Sequence, residues 1–276
     1  MPSFSDLAAL SHTGSHISLV LRSGRDLLPG RTVLAVLLVA LPVGVLIGTV
    51  GVGGVVLPPA LTWLGGLDVH AAAGTSSWAF LFTGIVGTLG YARRQAMPWR
   101  FGGLLTLGAA PAAAAGALVN GLLPAAVLWL VLAVVTAGSG AYNLWFRAKT
   151  SRVREDLPVA ATIGIGVVVG FGSALTGTGG PVLLVPALLA LGVPALTTVA
   201  AGQLIQLPLV GFATLGYAAH GSVHFGLGTL LGVLAGLGAL LGTYLAQRLR
   251  QQHLHHVVSA ALVVFGAFLF VLAARS

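Results

Sequence analysis

The chain has 276 residues, of which 57% are hydrophobic and only 7% are charged, and its formal net charge is +8. A soluble globular domain carries about a quarter charged residues, so this composition excludes one. The chain contains no cysteine, which excludes disulfides, thiol chemistry and metal sites built from cysteine.

Long uncharged runs dominate the sequence. No Asp, Glu, Lys or Arg occurs from Leu157 to Gln247, nor from Phe101 to Phe146. A membrane-spanning helix needs about 20 apolar residues, so each run must contain several spans. The sequence predicts an all-α polytopic membrane protein whose main partner is the lipid bilayer. The arginines cluster in tails and short loops, as juxtamembrane anchors do, and no nucleic-acid partner is expected.

Gly, Pro and charged residues divide the chain into predicted elements. A polar N-terminal tail (1–30) precedes transmembrane repeat 1 (31–146), and a charged linker (147–157) precedes transmembrane repeat 2 (158–276). The predicted helical segments of the first repeat are 31–50, 54–66, 70–91, 100–119 and 123–146. Those of the second repeat are 158–175, 180–192, 195–219, 224–247 and 253–274. Each repeat therefore contains one segment too short to span a bilayer comfortably, at about 1.5 Å per residue.

The two repeats resemble each other in sequence. VGVGGVVLPP at 50–59 corresponds to TGTGGPVLLVP at 176–186, and TLGYA occurs at 88–92 and again at 214–218. Gly51 precedes Gly177 by 126 positions (177 − 51), and the TLGYA motifs are also 126 apart (214 − 88). Ordered matches at a nearly constant offset predict an internal duplication, which is common in membrane transporters.

Two topologies stay open. If each short segment crosses the membrane, each repeat has five crossings and the repeats are inverted. If each glycine break lies within one discontinuous helix, each repeat has four crossings and the repeats are parallel. The positive-inside rule favours the parallel arrangement, whereas the frequency of inverted repeats around broken helices favours the inverted one, which we adopt. Both place loops 92–100 and 147–157 in the cytoplasm.

The repeated glycine clusters are the first candidate for a substrate-binding site. They comprise Gly51, Gly53 and Gly54 in the first repeat and Thr176, Gly177, Thr178, Gly179 and Gly180 in the second. Short segments interrupted by Gly and Pro at matching places in two repeats point to a transporter's binding site. Helices that begin at such breaks would direct free N–H groups and positive dipole ends at an anion. Close helix packing is the alternative role of these glycines.

Polar side chains follow each short segment on the next predicted helix. They are Thr75, Ser76 and Ser77 in the first repeat, and Gln203 and Gln206 in the second. Glutamine is costly in lipid and normally faces protein or a cavity. These side chains are therefore expected either to line the site or to form hydrogen bonds between helices. Asn120 lies near a predicted span end, where solvation is expected.

The scarcity of acids limits the chemistry. Asp68 falls in a predicted loop and no predicted span contains an Asp or Glu, which disfavours hydrolase chemistry and proton coupling. The histidines lie at predicted loops or span ends, and His253, His255 and His256 read as an interfacial basic patch. No metal and no other cofactor is expected. An anion leaving a cell with a negative interior gains about 2.3 kcal/mol per charge per 100 mV, so export needs no coupling ion.

The segments GTVGVGGVVLPPALTWLGGLDVHAAAGTSSWAF (48–80) and ALTGTGGPVLLVPALLALGVPALTTVAAGQLIQLP (174–208) give the chain a family likeness. It resembles the TauE/SafE sulfite-exporter family of membrane permeases over about residues 31–274. The resemblance implies transport of sulfite, thiosulfate, sulfoacetate or a related anion. It also implies that the glycine clusters are paired helix breaks and that Thr75, Ser76 and Gln203 face the pore. The first cluster lacks the threonine of the second, so the halves are expected to contribute unequally.

The sequence therefore predicts a secondary transporter, not an enzyme, for a small sulfur-containing anion, with export favoured over uptake and the inner membrane as its location. A passive anion channel is the alternative within transport. An intramembrane hydrolase that uses Ser76 is a less favoured one. The substrate, the coupling ion and homo-oligomerisation stay open.

Overall fold

The computed structural model describes residues 30–51, 53–94, 97–128, 130, 131, 133, 134, 157–248, 264 and 267. The N-terminal half contains helices α1 (Gly30–Val50), α2 (Leu57–Trp63), α3 (Val69–Ala92) and α4 (Trp99–Asn120), with a 3₁₀ turn at Gly53–Val55 before α2. The C-terminal half contains α5 (Val159–Thr176), α6 (Pro181–Ala190), α7 (Ala195–Ala219) and α8 (Phe225–Ala246). The tail before residue 30, more than half of the predicted segment 123–146, most of the linker and the predicted segment 253–274, apart from isolated positions, lie outside the described residues.

Within the described residues, helices α3, α4, α5, α7 and α8 are long and apolar enough to cross a membrane. The prediction of an all-α polytopic membrane protein is confirmed. The observed bounds of these five helices and of α1 lie within one residue of the predicted ones. The short helices α2 and α6 have only 7 and 10 residues, fewer than predicted, since each starts later and ends earlier than its predicted segment.

Small residues bring neighbouring helices into backbone contact. A Cβ added at Gly44 of α1 would lie 1.9 Å from the carbonyl oxygen of Ala235 in α8. A Cβ added at Gly108 of α4 would lie 2.2 Å from the carbonyl oxygen of Ile163 in α5. Association in lipid depends on van der Waals packing rather than on the hydrophobic effect, so this close approach stabilises both helix pairs.

Contacts of this kind also show the relative directions of the helices in the two outer pairs, α1 with α8 and α4 with α5. Going along α1, Gly44 and then Gly48 meet successive parts of α8, Ala235 and then Ala239. The two helices are therefore parallel. Gly108 and Gly116 of α4 likewise meet residues 163 and 171 of α5 in order, so these helices are parallel as well.

Helices α3 and α7 pack against each other in the middle of the bundle. Gly74 near the start of α3 lies against Tyr217 near the end of α7, and Gly87 lies against Gln203, so the two helices are antiparallel. Each also packs against a helix of the other half, α3 against α8 and α7 against α4. Both of these pairs are parallel. Residues 75 and 90 of α3 meet residues 228 and 243 of α8 in the same order. Residues 102 and 117 of α4 likewise meet residues 204 and 216 of α7.

Corresponding helices of the two halves consequently run in opposite directions. Their bounds also recur at the offset found in the sequence. Helix α4 spans 99–120 and α8 spans 225–246, which is 126 positions later at both ends, and α1 and α5 end 126 positions apart, at 50 and 176. Opposite direction and constant offset are what an inverted duplication would produce. The duplication itself stays a prediction.

Asp68 begins α3 as its N-cap, since its Oδ1 accepts the backbone N–H groups of His70 at 2.8 Å and Ala71 at 3.1 Å. We expect Asp68→Ala to lower the free energy of unfolding by about 1 kcal/mol, because both N–H groups lose their acceptor. Asp68→Asn keeps an oxygen in place and should retain most of this stability. Unfolding titrations in mixed detergent micelles measure the difference. An equal loss in both variants would show that the charge, not the cap, matters.

Candidate functional site

The glycine-rich breaks of the two halves lie against each other. A Cβ added at Gly54 would lie only 2.2 Å from the carbonyl oxygen of Thr178. A Cβ added at Gly51 would lie 3.3 Å from Cβ of Pro181 and 3.1 Å from Cγ2 of Val185. The structure therefore brings together the two clusters predicted from sequence. All of their described members are buried: Gly51, Gly53, Gly54, Thr176, Gly177, Thr178, Gly179 and Gly180.

The breaks lie beside the middle of the two central helices. A Cβ added at Gly179 would lie 2.7 Å from the ring of Phe80, the twelfth of 24 residues in α3. A Cβ added at Gly180 would lie 3.0 Å from Leu209, which is also near mid-length in the 25-residue α7. Irregular backbone at this depth is tolerated in membranes only where it is enclosed by protein or lines a cavity.

The second break presents free backbone donors. The N–H of Thr178 donates to the carbonyl of Ser173 at 3.1 Å, which ends α5. The N–H groups of Gly179, Gly180 and Val182 make no hydrogen bond with any other described residue. All three lie at the start of α6, where the helix dipole is positive. This group of N–H donors is suited to an anion.

The threonines of the second break are largely occupied within it. The Thr176 hydroxyl donates to the carbonyl of Gly172 at 3.0 Å. Its oxygen also lies 3.1 Å from the Thr178 hydroxyl oxygen. These two side chains hold the shape of the break more than they extend its set of free donors.

The first break also has free backbone donors, since the N–H groups of Gly53, Gly54 and Leu57 make no hydrogen bond with any other described residue. Pro58 and Pro59 have no N–H, and the N–H of Ala60 donates to the carbonyl of Val56 at 3.0 Å. At seven residues, α2 is also a much shorter dipole than a spanning helix. Both breaks thus present free backbone donors, and the helix that starts at the second break is the longer of the two, at 10 residues against 7.

Ser76 adds a side-chain donor next to the second break. The residue is fully buried, and its hydroxyl has no hydrogen-bond partner among the described residues. Ala73 contacts Gly177, and Phe80 contacts Gly179. Ser76 lies three positions after Ala73 and four before Phe80, so it shares the face of α3 that meets the break. A buried, unpartnered hydroxyl is costly unless a ligand or water completes it.

Thr75 is buried elsewhere. Its Oγ1 accepts the backbone N–H of His224 at 3.1 Å, which ties α3 to the start of α8. Thr75 is also in contact with Gly228 of α8. Its side chain therefore forms a hydrogen bond between two helices, which is one of the two roles predicted for it. Ser77 is buried on the same helix.

The two glutamines join helices across the halves. The Nε2 of Gln206 donates to the carbonyl of Phe80 and to the hydroxyl of Thr83, each at 2.7 Å. The Nε2 of Gln203 donates to the carbonyl of Ile47 at 2.8 Å, and its Oε1 packs against Gly87. For both glutamines the structure shows interhelical hydrogen bonding, which is one of the two roles predicted for them.

The expectation that Asn120 is solvated is wrong. The residue is 1% exposed. Its Nδ2 donates to the carbonyl of Leu175 at 2.7 Å, and its Oδ1 lies 2.9 Å from Nδ1 of His70. The end of α4 packs against the end of α5, which removes Asn120 from water, and no local pattern in the sequence signals this.

Two tyrosines near the breaks were not predicted as functional residues. The Tyr91 hydroxyl donates to the carbonyl of Gly48 at 3.0 Å, and the Tyr217 hydroxyl donates to the carbonyl of Ala174. Each is the tyrosine of a TLGYA motif. The repetition of that motif was the available signal.

No group of three metal-ligating side chains occurs within the described part of the chain. His253, His255 and His256, predicted to form a basic patch, lie outside that part. The site therefore rests on backbone and hydroxyl donors inside a bundle of spanning helices.

Paired helix breaks enclosed by spanning helices are typical of membrane transporters. The sequence model of the family described as "Sulfite exporter TauE/SafE" matches residues 15–102 and 36–269. The chain belongs to the TauE/SafE family, which confirms the resemblance seen in the sequence. It is an integral membrane protein and a membrane transporter.

Two relatives support this assignment. A "Probable membrane transporter protein" of Xylella fastidiosa (strain Temecula1) is 30% identical over 236 residues, which cover 80% of this chain and 88% of the relative. The "Probable membrane transporter protein YunE" of Bacillus subtilis (strain 168) is 25% identical over 257 residues, which cover 81% and 93%. No solved structure gives a significant match.

Proposed function

We propose that this transporter carries a small sulfur-containing anion, such as sulfite, thiosulfate or an organosulfonate, out of the cell as a secondary transporter. The main support for this proposal is the set of buried hydrogen-bond donors at the second break. The N–H groups of Gly179, Gly180 and Val182 and the hydroxyl of Ser76 have no partners among the described residues. A sulfur oxyanion has several acceptor oxygens around one centre and can satisfy several of these donors at once.

The charge distribution near the breaks supports an anionic substrate. Asp68 is the one acidic residue in the described part of the chain, and it is exposed at the start of α3, outside the breaks. The positive end of α6 would stabilise negative charge in a region that excludes water. No buried arginine is needed for such a site.

The basic end of the bundle supports the direction of transport. Arg93 and Arg94 follow α3, Arg100 lies in the first turn of α4 and Arg248 follows α8, and these helix ends lie together. By the positive-inside rule, this end and the loops 92–100 and 147–157 face the cytoplasm of a cell whose inner membrane holds the protein. Positive charge there raises the local anion concentration, and the membrane potential drives anions outward.

The alternatives differ in what they require. A passive anion channel could use the same donors, but its flux would not saturate. A hydrolase would need a base within hydrogen-bonding distance of Ser76, and that hydroxyl has no such partner among the described residues.

A ligand screen tests the proposal. We expect sulfite, thiosulfate or sulfoacetate to raise the unfolding temperature of the purified protein, and chloride to leave it unchanged. A ligand that binds only the native state stabilises that state, by about 2.7 kcal/mol at a hundredfold excess over Kd. Sulfate and taurine complete the screen. Flux of the stabilising anion into proteoliposomes should saturate. Stabilisation by no sulfur anion beyond that by chloride would contradict the substrate class, and flux without saturation would favour the channel.

A further inference from the structure

The ends of α1 and α5 pose an electrostatic problem for an anion site. Each helix stops at a break, where its last carbonyl groups have no partner within the helix. These groups give the C-terminus a partial negative charge of about half an electron, which repels an anion nearby. The repulsion is strong where these groups are buried in protein, because little water is available to screen it.

Side chains from other helices cover these carbonyls. The hydroxyl of Tyr91 donates to Gly48, three residues before Gly51. The hydroxyl of Tyr217 donates to Ala174, three residues before Gly177. Both tyrosines are almost fully buried, at 0% and 1% exposed.

The two contacts correspond to each other in the two halves. The tyrosines are 126 positions apart (217 − 91), and so are their acceptors (174 − 48). Amide groups add a second donor at each helix end. Gln203 donates to Ile47 in α1, and Asn120 donates to Leu175 in α5.

We propose that Tyr91 and Tyr217 determine the charge selectivity of the breaks. Their hydroxyls occupy the terminal carbonyls of α1 and α5, so that the positive start of α6 dominates the potential at the site. This proposal rests on the proposed anion transport. It adds two residues that do not touch the substrate but make the site selective for negative charge.

The test uses two probes that differ in charge: thiosulfate, a dianion, and methanesulfonate, a monoanion. We expect Tyr217→Phe and Tyr91→Phe to raise the KM for thiosulfate in proteoliposomes by about tenfold, the loss of about one hydrogen bond. The effect on the KM or inhibition constant of methanesulfonate should be about threefold, because the energy of an ion in a fixed field scales with its charge.

Tyr244→Phe is the matched control, because Tyr244 lies near the end of α8 and contacts Arg94 and Arg248 through its ring, at 5.3 and 4.3 Å. It should change neither constant. Equal losses for both probes would show that the two tyrosines only support the fold, and unchanged constants in folded variants would also overturn the proposal.

A second measurement covers the case in which the phenylalanine variants do not fold. Wild-type protein made with 3-fluorotyrosine keeps every hydroxyl but makes it a stronger donor. Its KM for thiosulfate should fall relative to that for methanesulfonate, and a constant ratio would overturn the role of the tyrosines. If unlabelled wild-type protein shows no saturable flux or binding of either anion, the proposed function fails, and the selectivity role fails with it.

Discussion

Replacement of Gly179 by alanine is expected to abolish anion transport while the protein still accumulates in membranes. Gly179 has φ of 81°, in the left-handed region, where a side chain costs about 1–2 kcal/mol. Its added Cβ would lie 2.7 Å from the ring of Phe80, which is fully buried and cannot move away freely. The substitution therefore shifts the segment that carries the free N–H groups. A displacement of about 1 Å is enough to misplace such donors.

Gly164→Ala is the matched control for this experiment. Gly164 lies inside α5, and an added Cβ there would meet nothing within 4 Å. Alanine favours a helix by about 1 kcal/mol over glycine, so this variant should transport as the wild type does and unfold at the same or a higher temperature. Transport rates are compared in proteoliposomes at equal protein content. Wild-type rates in folded Gly179→Ala would exclude the second break from the transport site.

Ser76→Ala is expected to weaken substrate binding by tenfold or more without destabilising the protein. The hydroxyl has no partner in the described structure, so its removal takes away a buried polar group that is unsatisfied in the absence of substrate. A hydrogen bond from it to an anion is worth about 1.5–3 kcal/mol, and this is lost in the variant. Ser76→Ala should therefore lower affinity without lowering stability. Substitution at most buried polar positions would lower both.

Thr162→Val provides a control at a buried hydroxyl outside the site. The Thr162 side chain is 0% exposed, its hydroxyl donates to the carbonyl of Pro158 at 3.1 Å, and it lies in the first turn of α5, at the end of that helix remote from the break. Valine has nearly the same shape, so binding should not change. Kd and unfolding temperature are measured for both variants with thiosulfate and sulfite. Unchanged affinity in Ser76→Ala would remove Ser76 from the site and leave only the backbone donors.

Much of this protein could be read from local sequence. In lipid, every spanning segment must be apolar and helical over a nearly constant length. Gly, Pro and charge therefore mark helix ends directly, and six predicted helices match the observed ones to within one residue at each end. The paired glycine breaks were also visible, because they recur 126 positions apart (177 − 51).

The tertiary structure decided what these elements do to one another. Gly54 meets the carbonyl of Thr178, and Gln203 reaches α1 across 156 positions of sequence. Asn120 and Tyr217 cover the last carbonyls of α5 from two different helices. Such contacts depend on how uniformly apolar helices, whose sequences carry almost no directional signal, stack side by side. Helix formation is a local property of the chain, whereas the partner of a buried polar atom is set by packing between distant segments.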